Sequence, residues 1–205
     1  RNSRRRGTFS QETLPGTRHS DTADRREEGE TKMKKMKKYY LAYGSNLNIA
    51  QMQFRCPDAV VVGTAVIPDY ELLFKGSLTG AYLTIEPKQG SQVPVGVWEV
   101  SLADELRLDR YEGFPSFYYK KEMRIPVKDI RTGKTRQRDA FVYVMHEDRK
   151  LGVPTDMYVR TCLDGYKDFG FDPDFLFDAY DKSLLGVEKL QKRLCDTAAF
   201  ALGRR

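Results

Sequence analysis

The chain has 205 residues, 40% hydrophobic and 12% aromatic, enough to bury one core of ordinary domain size. Its formal charge of +6 is concentrated in residues 1–38, where 12 Lys/Arg stand against 6 Asp/Glu; the remainder is balanced, which argues against a phosphate-binding surface and leaves no nucleic-acid partner expected. No apolar run reaches the ~18 residues of a membrane span, no apolar segment marks a secretory signal, and three scattered cysteines (Cys56, Cys162, Cys195) fit neither a disulfide framework nor a zinc site, so the expectation is a cytoplasmic protein without a membrane partner.

Residues 1–38 read as a polar, basic tail. Phe9 and Leu14 are the only large apolar residues before Met33, so this segment cannot offset its ordering entropy. Met33 or Met36, beside the lysine run, is read as the natural start, with upstream sequence before it. The domain proper is expected over 39–194, followed by a short tail, 195–205.

Tyr39-Tyr40-Leu41-Ala42-Tyr43-Gly44-Ser45-Asn46-Leu47 opens the domain. Aromatics followed by Leu and Ala predict a strand. Gly44 lets another group approach the backbone. Ser45 and Asn46 are good helix N-caps, predicting a short helix over Leu47–Phe54. A strand entering such a turn points free backbone N–H groups at one spot, which suits a small anion, although strand-turn-helix corners are also common without any ligand.

Pro57 ends that helix. Short strands are predicted over 59–67, 70–75, 81–86 and 93–100, with turns at Pro68-Asp69 and over Pro87–Gln92. Ser101, with Asp104 and Glu105 in the first turn, predicts a helix over Leu102–Arg110 that must stop near Gly113 and Pro115. Phe117–Val127 and Gln137–Met145 read as a strand pair about a turn at Arg131–Lys134. Thr155 and Asp156 cap a helix to Phe169, closed by Gly170. Pro173 opens a last helix to about Leu185. The fold class is α+β: a small mixed, partly closed, barrel-like sheet with flanking helices.

The chemistry is sparse. Of two histidines, His19 lies in the tail and His146 reads as a surface loop residue. Motifs for zinc hydrolysis, P-loops and dinucleotide binding are absent, so a carboxylate or tyrosine must move any proton. Glu112 stands out, at a helix end before Gly113 and among Tyr111, Phe114, Phe117 and Tyr118. Aromatic surroundings raise a carboxyl pKa toward neutrality; a solvated Glu in a turn is the plain alternative.

The ordered set Tyr43-Gly44-Ser45-Asn46-Leu47, Arg55-Cys56-Pro57, Gly63, Tyr70–Phe74, Val95–Val100, Leu108–Gly113 and Tyr118 resembles the gamma-glutamylcyclotransferase-like (AIG2-like) family over roughly Tyr39–Asp148. The resemblance implies that family's barrel-like fold and its reaction, cyclisation of a gamma-glutamyl group to 5-oxoproline with release of an amine. It implies Glu112 as general base and acid, and Tyr40, Leu41, Ala42, Tyr43, Gly44, Ser45 and Asn46 as the substrate-binding turn. Tyr143 and Tyr118 are implied as further pocket residues, with Tyr119 an alternative to Tyr118. It implies no metal or organic cofactor, a small gamma-glutamyl substrate as partner, and a monomer or homodimer. The contrasting expectation is a non-catalytic binding module on the same fold.

Overall fold

The computed structural model describes residues 37–77 and 80–201, with side chains to Leu194, Ser77 excepted. The expectation for the tail therefore lies outside the described residues, except for Lys37 and Lys38, which begin the first strand. Five strands form a closed barrel: β1 (Lys37–Ala42), β2 (Val60–Ser77), β3 (Gly80–Ser101), β4 (Tyr118–Asp129) and β5 (Thr135–Met145), in the order β1-β3-β2-β4-β5. The helices are α1 (Ile49–Arg55), α2 (Leu102–Glu112), α3 (Asp156–Phe169) and α4 (Asp174–Ala201), with a 3-10 turn over Ser45–Leu47.

β1 sits between two partners. It runs antiparallel to β3, from Lys37 opposite Ser101 to Ala42 opposite Gly96, and parallel to β5, with Tyr40 opposite Phe141. Both its neighbours are long, so its apolar end, Tyr40-Leu41-Ala42, is buried. The seam between β2 and β4 is short: Gly63 opposite Asp129 and Thr64 opposite Lys128. A Cβ on Gly63 would lie 2.0 Å from the Lys128 carbonyl oxygen. Glycine is what allows the two backbones to meet and the barrel to close.

Four short strands were expected between Ala59 and Val100; two long ones form instead. Pro68 and Pro87 lack the N–H that a ladder uses, yet the pairing passes them with a register shift between Pro68 and Tyr70. Asp69 takes φ 57° there, and its side chain accepts from the Gly90 N–H at 2.8 Å. The proline-marked turns are thus irregularities inside one hairpin. β4 and β5 occupy the predicted pair, and Gly133 takes φ 66° in the turn between them.

The caps fix how the helices meet the barrel. Ser101 Oγ accepts from Asp104 N at 3.1 Å and starts α2 directly off β3. Gly113, at φ 64°, ends α2 one residue after Glu112. For α1 the cap is Asn48, whose Oδ1 accepts from Gln51 N at 3.0 Å, not Ser45 or Asn46 as expected. Those two residues belong to the tighter 3-10 turn, which leaves their side chains free for the pocket. Thr155 caps α3, and Gly170 closes it at φ 67°. α4 is longer than its spacing predicted and runs to Ala201. Its Ser183 pins it to β2, accepting from Phe74 N at 2.9 Å and donating to Phe74 O at 3.1 Å.

Trp98, Phe141, Leu41, Ile67, Leu83 and Ile85 are all buried in one core that covers both faces of the sheet. Cys56 and Cys162 are free and buried, and burial raises each thiol to about 12. They are inert packing residues. The side chain of Cys195 lies outside the described set. Among the described residues no helix is long and apolar enough to cross a membrane.

Candidate active site

The strand-turn at the end of β1 and the C-terminus of α2 meet at one rim of the barrel. The turn forms because Leu47 N donates to Gly44 O at 2.9 Å and Asn48 N to Ser45 O at 3.2 Å. The first N–H groups of such a turn have no intrahelical acceptor, and Gly44, Ser45 and Asn46 all line one recess. α3 braces the turn from behind. Gly165 lies so close that a Cβ there would be 2.6 Å from Asn48 N and from Leu47 Cβ, and Asp168 Oδ2 accepts from Ile49 N at 2.9 Å.

Asn46 joins the turn to the carboxylate. Its Nδ2 donates to Glu112 Oε1 at 2.8 Å and to Tyr40 Oη at 2.9 Å. Its Oδ1 accepts from Arg55 Nη1, which fixes the amide so that its nitrogen faces the acid. The Arg55 guanidinium lies flat on Tyr111, with Cζ 3.5 Å from the ring centroid, and Tyr111 Oη is 3.3 Å from Ser45 Oγ. One chain of contacts thus runs from α1 through the turn to the end of α2.

Glu112 is half-buried, and its carboxyl pKa is raised from 4.5 to about 7. Burial is the main cause; the charge of Arg55 and the Asn46 hydrogen bond oppose it. A carboxyl that titrates near neutral pH can take a proton and return it. Burial also pushes the Tyr40, Tyr43, Tyr118 and Tyr158 hydroxyls well up, so they stay protonated; Tyr43 and Tyr118 donate to the Tyr143 and Leu83 carbonyls, while Tyr40 accepts from Asn46 and Tyr158 from Leu83 N.

Two adjoining cavities surround the carboxyl. An inner recess of about 30 Å³ is lined by Tyr40, Tyr43, Gly44, Ser45, Asn46, Glu112, Tyr118 and Tyr143, with Leu83 and Tyr158. An outer cleft of about 540 Å³ shares Ser45, Glu112, Tyr118 and Tyr158 with it. The sequence-selected residues therefore converge, except Leu41 and Ala42, whose side chains point into the core and line neither cavity. Tyr118 faces inward, donating to Leu83 O at 2.8 Å, whereas Tyr119 turns away to Glu147 at 2.7 Å. Tyr143 is fixed from both ends: its hydroxyl donates to Asp109 at 2.7 Å, and its carbonyl accepts from Tyr43 Oη at 2.7 Å. His146 is half-buried and lines neither cavity; its Nε2 lies 2.8 Å from Pro115 O.

Sequence reasoning missed Tyr158, Tyr82 and Arg149 as cavity residues, whereas Phe117 lies near Glu112 as its aromatic surroundings suggested. Tyr158 shares the helical spacing of Cys162 and Tyr166, which reads as a core stripe. Nothing local marks its hydroxyl as reaching across to accept from Leu83 N at 3.2 Å.

Fold and cavity together describe a small barrel with an acid-bearing pocket at one rim. Residues 40–160 match the family described as "Gamma-glutamyl cyclotransferase, AIG2-like", and the chain belongs to that family. The gamma-glutamylcyclotransferases of Bos taurus and Mus musculus are each 28% identical to it over 157 residues. That span covers 73% of this chain and 78% and 77% of theirs. A solved "Gamma-glutamyl cyclotransferase" superposes with TM-score 0.60 at 24% identity, covering 70% of this chain and 86% of its own, which establishes the shared fold. An uncharacterized Homo sapiens protein gives the same TM-score and coverage at 26% identity.

Proposed function

We propose that this chain cyclises the gamma-glutamyl group of a gamma-glutamyl amino acid or amine to 5-oxoproline, releasing the amine. The observation that carries this reading is the position of Glu112. Its carboxyl is 2.8 Å from the Asn46 side chain, inside the same recess as the Gly44–Asn46 turn. A glutamyl unit can then bridge the two, its alpha-carboxylate or developing oxyanion on the turn and its alpha-amino group at the acid.

The substrate's alpha-ammonium cannot attack until it loses a proton. Glu112, ionised, accepts that proton. The freed amine attacks the gamma-carbonyl, a C–N bond forms, and the carbonyl oxygen becomes an oxyanion beside the turn's N–H groups. As the tetrahedral species collapses, the original amide C–N bond breaks. Across the reaction the attacking nitrogen gives up two protons and the leaving nitrogen gains two, with Glu112 as carrier. The step needs no redox partner and no cofactor. Ring closure is intramolecular, so the pocket's main task is to hold a flexible chain folded, which can contribute about 7–11 kcal/mol when the geometry is right. The rigid cage of Tyr40, Tyr43, Tyr118 and Tyr143 supplies that constraint. The same reading places the protein among small-molecule enzymes of a reducing cytoplasm.

The test is 5-oxoproline release from a panel of gamma-glutamyl compounds, wild type beside Glu112→Gln. Release by the wild type with a loss of about 10²- to 10⁴-fold in the variant is expected. Undiminished release from the variant removes the role of Glu112. No release from any compound overturns the reaction and favours a binding module.

A further inference from the structure

The charge balance of residues 39–205 conceals a local excess. Residues 124–138, which are the end of β4, the turn and the start of β5, carry Arg124, Lys128, Arg131, Lys134, Arg136 and Arg138 against one acid, Asp129. That acid is engaged within the turn. Its Oδ1 accepts from Arg131 N at 3.0 Å, Thr132 N at 2.8 Å and Thr132 Oγ1 at 2.9 Å. Arg124 has Asp139 at 3.9 Å, and Arg138 lies over Tyr39, with Cζ 4.9 Å from the ring centroid. Lys128, Arg131, Lys134 and Arg136 are exposed and form no ion pair among the described residues. Lys37, Lys75 and Lys120, by contrast, each meet a carboxylate.

An aliphatic side chain stands among these cations. Ile130 is 68% exposed, although its backbone is fixed by its N–H, which donates to Val62 O at 2.9 Å. Val60, at the start of β2, is also exposed. The register sets Lys128 opposite Thr135 and Val127 opposite Arg136. Directly opposed residues share a face and neighbours along a strand alternate, so Lys128 and Arg136 stand on opposite faces of the hairpin, with Ile130 at its end. Cations on both faces of an apolar tip suit a surface entered end-on. Phosphate groups attract such cations whether lipid or nucleic acid carries them. Ile130 favours lipid, because a headgroup layer takes an aliphatic side chain out of water, and residues 124–138 hold no aromatic ring on which a base could stack.

We infer that the β4–β5 turn is a docking tip for an anionic lipid surface. Ile130 enters the headgroup region, and Lys128, Arg131, Lys134 and Arg136 are held by the headgroups around it. Such attachment needs no spanning helix, and none is present among the described residues. Tyr118, which lines the recess, is at the opposite end of β4. That strand is 12 residues long and spans about 35 Å, so the cavity lies far from the docked end. The inference is independent of the cyclisation reading.

The experiment is co-sedimentation of the full chain with vesicles of phosphatidylcholine alone and of phosphatidylcholine with phosphatidylserine. Binding to the second and not to the first is expected, weakening as salt is raised. The triple variant Arg131→Gln, Lys134→Gln, Arg136→Gln should weaken it by about 100-fold, and Ile130→Ser by about 5- to 10-fold. All four positions are exposed, so the thermal midpoints of both variants should match the wild type. Absence of wild-type binding to the anionic vesicles overturns the inference, and equal binding to both vesicles overturns the role of the cations. Binding undiminished in the triple variant overturns the assignment to the turn and moves it to the basic segment before β1. Tighter binding to an RNA oligonucleotide than to the anionic vesicles, unaffected by Ile130→Ser, overturns the lipid reading in favour of a nucleic acid.

Discussion

Two of the four carboxylates of helix α2, Asp109 and Glu112, stand three residues apart in surroundings that could hardly differ more. Asp109 is enclosed by partners: Lys120 Nζ lies 2.8 Å from its Oδ1, and Tyr143 Oη donates to it at 2.7 Å. Lys120 also pairs with Glu105 at 2.6 Å, and Lys38 reaches the other Glu105 oxygen at 2.9 Å. Burial works against the charge on Lys120, but its bonds to Asp109 and Glu105 prevail and raise its pKa. Among the described residues, Glu112 has one neutral donor, Asn46, and no cation bonded to it directly. One acid is locked into a framework of a cation and a hydroxyl; the carboxyl of the other is raised toward neutral pH by burial. The framework serves the site, since the Asp109 bond fixes the ring of Tyr143 that lines the recess.

The largest expected effect breaks this comparison directly. Glu112→Gln and Asp109→Asn make the same chemical change on the same helix. The first should lower kcat by about 10²- to 10⁴-fold with little loss of fold stability. The second should cost about 1–3 kcal/mol in chemical denaturation, because Lys120 and Tyr143 lose a charged acceptor, while kcat falls by no more than about tenfold. Steady-state kinetics and denaturation curves on both variants decide the matter. A larger kcat loss in Asp109→Asn would transfer the catalytic assignment to Asp109.

A second, smaller effect concerns the support behind the turn. Gly165→Ala would place a methyl against Asn48 N and Leu47 Cβ, where 2.6 Å is available. Both neighbours are backbone or backbone-near atoms, so α3 must move off the turn. An overpacking cost of about 1–3 kcal/mol is expected, read as a lower thermal midpoint. KM for a gamma-glutamyl substrate should rise as well, since the turn's N–H groups shift. A lowered midpoint with unchanged KM would separate the brace from the binding site.

How much of this was legible in the sequence follows from how local each signal is. Gly44 after a β-rich run, and Glu112 just before Gly113, are written in adjacent residues, and local sterics position both. The β4–β5 pair was legible for the same reason. The long β2–β3 hairpin was not, because Pro68 and Pro87 read as terminators when each is tolerated at a single irregularity in the ladder. The cap of α1 was misplaced by two residues because Ser45, Asn46 and Asn48 are all competent caps, and only the 3-10 geometry of the turn decides among them. Arg55 over Tyr111, Tyr158 against Leu83 and Arg149 over Phe117 are meetings of distant segments. A single sequence carries no trace of such pairings. The resemblance named the turn and the acid, but the residues that tune and surround them come from barrel closure.

Glu112 also responds to pH, and the Arg55 charge opposes the effect of burial on its carboxyl. Glu112 must be ionised to accept the substrate's proton, so kcat/KM should rise with pH along a limb centred near the carboxyl's pKa of about 7. Folding stability should run the other way. The folded pKa of about 7 exceeds the ordinary 4.5, so the folded state holds the extra proton between these values. The contribution is full below about pH 4.5 and is lost as pH rises through 7. Arg55→Met keeps the packing on Tyr111 but removes the charge that opposes burial. It also frees the Asn46 amide from the partner that orients it. Both changes disfavour the carboxylate, so the acid limb should move up by about one unit, while the plateau rate at high pH should fall by less than the loss in Glu112→Gln. A limb that stays near pH 7 would mean that Arg55 only shapes the turn, and that burial alone sets the acid's proton affinity.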